Sequence, residues 1–96
     1  MNFRHAAALA AVGWYLMVPP FGNGDFKENA PISQWSTDTS FDTAKECEDY
    51  RVAVNKKTQA DLPPHGSKPT DSAQAFAVKM LLGQCIASDD PRLKGK

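Results

Sequence analysis

Apolar residues are concentrated in two stretches of the chain, residues 6–18 and 73–87, and polar segments rich in proline and glycine lie between them. The first stretch carries no charge and follows a basic start that contains Arg4. A basic start followed by an uncharged run is typical of an export signal. If the run is extended to Phe21, it approaches the ~20 residues that cross a bilayer as a helix. We therefore predict a signal-anchor or signal-peptide segment over residues 1–20.

Three interpretations of this segment stay open. An uncleaved anchor would contact the membrane through residues 3–21 and place Trp14 and Tyr15 at the outer membrane interface, where amphipathic rings are favoured. A cleaved signal peptide would end near Gly13, because small residues there satisfy the cleavage pattern. The third interpretation is a buried helix or strand, since short apolar runs also occur in protein cores.

The next two segments predict a linker and a strand. Proline and glycine dominate residues 21–34, which we interpret as a linker. Residues 35–41 alternate between aromatic or β-branched positions and polar positions, which is typical of a short edge strand. This strand lacks an obvious partner if residues 6–18 are helical, but it could pair with Trp14–Val18 if that segment were extended.

Two helices are predicted in the second half of the chain. Thr43 and Glu46 have the spacing of a capping box, and the first helix is expected to run from there to about Gln59. The second helix opens at Thr70 or Asp71. Its apolar stripe leads towards Cys85 and contains Ala73, Phe76, Ala77, Met80 and Leu81.

These elements predict a mainly α protein. The expected order is a signal-anchor helix over residues 1–20, a linker over 21–34 and a disulfide-linked helical pair within an extracytoplasmic domain over 35–96. The alternative is a small α+β unit with a short strand at 35–41.

The two cysteines, Cys47 and Cys85, favour one disulfide if the chain is exported, because disulfides persist in oxidising compartments. The bond would close a loop of about 39 residues, which the chain-entropy model values at roughly 4 kcal/mol. It would join the first turn of one helix to the last turn of the next. Free buried cysteines or a metal or redox role are the alternatives, although the chain has no Cys-x-x-Cys pair.

Charge and motifs argue against several classes of function. The formal net charge is zero, so no basic excess indicates nucleic-acid binding. No nucleophile elbow, phosphate loop or metalloprotease motif occurs in the sequence. His65 and the two cysteines lack zinc-finger spacing. We therefore expect no enzyme, and we infer no catalytic residue, metal, cofactor or small-molecule substrate.

Several strings of the sequence resemble a group of short, exported, uncharacterised bacterial proteins. They are Trp14 to Pro20 (WYLMVPP), Ser33 to Trp35, Phe41 to Glu48 (FDTAKECE) and Cys85 to Leu93 (CIASDDPRL). The resemblance covers most of the chain apart from the linkers and includes both cysteine positions. It implies export and the Cys47–Cys85 pairing, but it implies no activity.

The leading functional expectation is a non-enzymatic accessory or structural subunit of a membrane-associated assembly. Its partners would be the membrane and other protein subunits. It would be held in the inner membrane with its C-terminal domain in the periplasm. The alternative is a free secreted or periplasmic binding protein, and a metal or redox protein is the third candidate.

Overall fold

Five strands and two helices are present in the computed structural model, which describes residues 12–94. In chain order they are β1 (Trp14–Val18), β2 (Phe21–Gly22), β3 (Asp25–Phe26), β4 (Ser36–Phe41), α1 (Ala44–Thr58), α2 (Ser72–Leu82) and β5 (Gln84–Ala87). Short 3₁₀ turns occupy Ile32–Gln34, Gln59–Asp61 and Pro91–Lys94.

The three longest strands form one antiparallel sheet in the order β4-β1-β5. The prediction of a mainly α protein is therefore wrong, and the α+β alternative with a strand near 35–41 describes the fold. The error lies in Trp14–Val18. The predicted signal-anchor helix includes this segment, which is instead the central strand of the sheet.

β1 is entirely apolar because side chains cover both faces of the sheet. On one face, Leu16 is fully buried with Cys47 and Met80 from the two helices. On the other face, Met17 packs with Trp35 and Ile86. A central strand that is buried on both sides has no polar alternation, so its pattern cannot be told from that of a short apolar helix.

The predicted linker contains an ordered hairpin, β2–β3. Asn23 and Gly24 have φ of 55° and 81°, the positive values that a two-residue type I′ turn requires. The rings of Phe21 and Phe26 meet edge to face, with centroids 4.8 Å apart. The Lys27 N–H donates to the Pro20 carbonyl at 2.8 Å and closes the base of the hairpin.

Both predicted helices are present. At the start of α1, the Glu46 N–H donates to Thr43 Oγ1 at 3.1 Å and the Thr43 N–H donates to Glu46 Oε1 at 3.2 Å, which confirms the capping box. At the start of α2, the Asp71 carboxylate accepts a hydrogen bond from the Gln74 N–H at 2.8 Å. These side chains satisfy N–H groups that have no partner within the helix.

Gly83 ends α2 and turns the chain into β5. A Cβ at this position would lie 3.1 Å from Leu16 Cδ1, so any larger residue would have to displace the Leu16 side chain. Cys85 consequently lies in a strand, and the disulfide joins the start of α1 to β5. The expectation that the bond would join two helix ends is wrong for this reason.

Within residues 12–94, no helix is long and apolar enough to cross a membrane. Residues 1–11, which carry most of the predicted signal segment, and residues 95–96 lie outside the described range.

Candidate functional site

The two cysteines predicted to pair are bonded to each other. Cys47 is fully buried, and its Cα lies 6.1 Å from that of Cys85. The bond ties the helical layer to an edge strand of the sheet. It therefore fixes the scaffold on which any binding surface is displayed and leaves neither sulfur as a free thiol.

Trp14 and Tyr15, predicted to lie at a membrane interface, are neighbours in β1 and face opposite sides of the sheet. Trp14 packs against the cluster that contains Leu16 and Cys47, whereas Tyr15 packs against the cluster that contains Trp35. The helix on which the interface role depended is absent here. The membrane contact itself stays a prediction.

The strand order makes β4 an edge strand. β1 lies on one side of it, and no other strand of residues 12–94 pairs with its far side. β5 is the opposite edge, and a turn follows it directly, in which the Asp90 N–H donates to the Ala87 carbonyl at 3.0 Å. β4 has six residues and β5 has four, so β4 offers the longer stretch of unpaired main chain.

Alternate residues of β1 direct their main-chain N–H and C=O groups to β4 and to β5 in turn. The Ser88 N–H donates to the Gly13 carbonyl at 2.8 Å, which places Gly13 in a hydrogen-bonded pair with the strand on the β5 side. Because such pairs alternate along an antiparallel ladder, Trp14 and Leu16 direct their main-chain groups towards β4.

The register then identifies the outward-facing groups of β4. Trp14 lies opposite Phe41, and Leu16 lies opposite Thr39. Ser40 lies between these two bonded positions, so its N–H and C=O point away from the sheet. Its side chain is also exposed. A strand added to this edge would find unpaired main-chain donors and acceptors.

A bulge at Asp38 interrupts the pairing of β4. Leu16 pairs with Thr39 and Met17 pairs with Thr37, which leaves Asp38 as the extra residue. Its carboxylate lies 3.7 Å from Lys79 Nζ on α2. An ion pair therefore links the bulge to α2, and the bulge leaves residues 39–41 as the regularly paired part of the strand beyond it.

Carboxylates flank the C-terminal end of β4. A shallow depression of about 480 Å³ is lined there by Ser40, Phe41, Asp42, Glu46 and Asp49. Asp49 accepts a hydrogen bond from Lys45 Nζ at 2.7 Å, and this bond raises the pKa of Lys45. The acids Asp42, Glu46 and Asp49 outnumber the neighbouring cation, Lys45. The side chains around the C-terminal end of β4 therefore carry a net negative charge.

A second depression, of about 500 Å³, lies beside Trp35 between the turn at Ile32–Gln34 and the turn after β5. Trp35 is 7% exposed, and its indole N–H donates to the Ala30 carbonyl at 2.9 Å. We call this depression the Trp35 groove. It carries one acid, Glu28, and one base, Arg92.

The arginine in the Trp35 groove is held by a neighbouring acid. Arg92 Nε and Nη2 donate to the two carboxylate oxygens of Asp90 at 3.1 and 2.9 Å. The hydrogen bonds from Arg92 lower the pKa of Asp90, and the same contact raises the pKa of Arg92. The two hydrogen bonds orient the guanidinium at the rim of the groove.

A third, more apolar depression separates the outer surfaces of the two helices. Val52 on α1 and Leu81 on α2 face it, with Leu62 and Ala77, and the side chains of Val52 and Leu81 are exposed. No group of three or more His, Cys, Asp or Glu side chains within residues 12–94 is placed to hold a metal ion.

The sequence pattern suggests an edge strand over residues 35–41, but it does not show which main-chain groups are open, and it gives no sign of the Trp35 groove. The outward direction of the Ser40 groups depends on the pairing of β1 with both β4 and β5. The groove joins residues near Trp35 with Gln84 and Arg92. No local sequence pattern predicts a contact between residues so far apart in the chain.

Comparisons of the chain with protein-family models, with curated proteins and with solved structures found no match.

Proposed function

We propose that this chain is a small secreted or periplasmic binding protein that receives an extended segment of a partner protein along β4. The observation that carries the proposal is the open edge of the sheet at Ser40. Addition of a strand to such an edge is a general mode of peptide recognition, in which main-chain hydrogen bonds supply affinity.

The disulfide supports the location outside the cytoplasm, because a Cys47–Cys85 bond is compatible with an oxidising compartment. The alternative of an accessory subunit in a membrane assembly relied on a signal-anchor helix. Part of that helix, Trp14–Val18, is built into the sheet instead. The free binding protein is therefore the better supported of the two.

The chemistry around β4 indicates the kind of segment that would fit. Negative side chains at Asp42, Glu46 and Asp49 flank its C-terminal end, so a strand that carries lysine or arginine is favoured by charge complementarity. Ser and Thr side chains on β4 itself offer few apolar contacts. Main-chain pairing and charge would thus contribute more than hydrophobic burial.

A proline substitution tests this mode of binding. Ser40→Pro removes the outward N–H without removing a bond to β1, and proline is tolerated at such edge positions. Ser40→Ala removes only the hydroxyl and is the matched control. The probe is the blocked peptide acetyl-Lys-Val-Thr-Val-Lys-amide, with binding measured by calorimetry.

We expect Ser40→Pro to weaken binding of this peptide about tenfold, because the loss of a main-chain hydrogen bond costs roughly 1 kcal/mol and the proline ring adds a steric clash. Ser40→Ala is expected to bind as the wild type does. Equal affinity of the proline variant, with its circular dichroism spectrum unchanged, would refute pairing at Ser40.

A further inference from the structure

The Trp35 groove carries a set of side chains unlike that of the β4 edge. Its volume of about 500 Å³ falls in the range of ~300–1,000 Å³ that is common for ligand sites. Apolar side chains of Ile32 and Trp35 line it together with the amides of Gln34 and Gln84. It therefore offers a hydrophobic surface and amide groups side by side.

Arg92 lies at this groove as one partner of an ion pair with Asp90. Two of its nitrogens are bonded to Asp90, whereas Nη1 has no hydrogen-bond partner among the described residues. A guanidinium held in this way loses little side-chain freedom when it binds a carboxylate. The more exposed partner of the pair is the arginine, with 58% of its side chain accessible against 20% for Asp90.

We propose that the Trp35 groove binds the C-terminal end of a peptide, with the terminal carboxylate at Arg92. The amides of Gln34 and Gln84 match the donors and acceptors of the peptide main chain. Ile32 offers apolar contact to the last side chain, and Trp35, which is 7% exposed, adds only a small part of its surface. Glu28 adds an acceptor for peptide N–H groups and disfavours a second acid in the ligand.

This proposal is independent of strand addition at β4, since the two surfaces use different residues. The test uses two peptides, acetyl-Ala-Ala-Leu with a free carboxylate and the same peptide with a C-terminal amide. The indole N–H of Trp35 reports binding in two-dimensional nitrogen–proton NMR spectra. The indole of Trp14, packed on the opposite face of the sheet, is the internal control.

We expect the free acid to shift the Trp35 indole signal and the amide to bind about tenfold more weakly, as the loss of a charge-assisted hydrogen bond implies. Arg92→Gln should remove the preference for the free acid. Lys94→Gln, which removes a charge from the same turn without altering the groove lining, should retain the preference.

Three results would overturn the proposal. They are no shift of the Trp35 indole with either peptide, equal affinity for acid and amide, and an unchanged preference in Arg92→Gln. Because both Arg92 and Lys94 are exposed, each variant is expected to fold, and its circular dichroism spectrum checks this.

Discussion

Leu16 lies directly opposite Cys85 in the antiparallel pair of β1 and β5. Both residues belong to the cluster that faces the helices, where Cys85 is bonded to Cys47. The disulfide is therefore attached to the sheet next to its most deeply buried side chain. The disulfide and the hydrophobic cluster around Leu16 thus join the sheet to the helices at the same place.

Removal of the disulfide should destabilise the protein strongly. The double substitution Cys47→Ala/Cys85→Ala opens a loop of about 39 residues in the unfolded chain, and the chain-entropy model predicts a loss of roughly 4 kcal/mol. Urea unfolding followed by circular dichroism measures the loss. If the double variant unfolds at the same urea concentration as the wild type, the bond does not stabilise the fold.

Truncation of Leu16 should also be costly. Leu16→Ala leaves a cavity between the sheet and the helices, and we expect the free energy of unfolding to fall by about 2–5 kcal/mol. Val52→Ala is the control, because Val52 is exposed on α1, and we expect a change within about 0.5 kcal/mol. Equal losses in the two variants would contradict the described core.

The pair formed by Asp90 and Arg92 predicts a pH dependence. The pKa of Asp90 is lowered by its hydrogen bonds from Arg92, so folding favours the ionised carboxylate. The resulting stabilisation is present above the unfolded pKa, about 3.9, and is lost as the pH falls through the lower folded value. The Arg92 side chain is 58% exposed, so solvent screens the pair and its effect on stability should be small.

An NMR titration of the Asp90 carboxyl carbon measures this shift directly. In Arg92→Gln, the pKa of Asp90 should rise towards its ordinary value, whereas Lys94→Gln should leave it lowered. A pKa of Asp90 that is the same in wild type and Arg92→Gln would show that the arginine is not its partner in solution.

The sequence predicts the two helices and the strand β4 from patterns that span only a few neighbouring residues. The capping box at Thr43 and Glu46 marked the start of α1, and Asp71 marked the start of α2. The alternation over residues 35–41 marked β4. Each of these signals depends on contacts within a few residues, so the sequence alone carries them.

The failures depend on contacts between distant residues. Trp14–Val18 is a strand because β4 and β5 pair with its two edges, although its apolar composition also suits a membrane helix. The apolar stripe predicts Cys85 at the end of a helix, but that helix ends at Leu82 and Gly83 turns the chain before Cys85. The alternation over residues 35–41 suits an edge strand, but the outward direction of the Ser40 main-chain groups follows from this same strand order and could not be predicted from the sequence.

The most direct test of the proposed binding mode is an amide-by-amide NMR titration of the intact protein with acetyl-Lys-Val-Thr-Val-Lys-amide. Strand addition at β4 predicts that the Ser40 amide shows a large shift and exchanges more slowly with solvent on binding, whereas the Thr39 amide, already bonded to β1, gains little protection. Binding that leaves the exchange of the Ser40 amide unchanged, or no binding at all, would contradict the proposal.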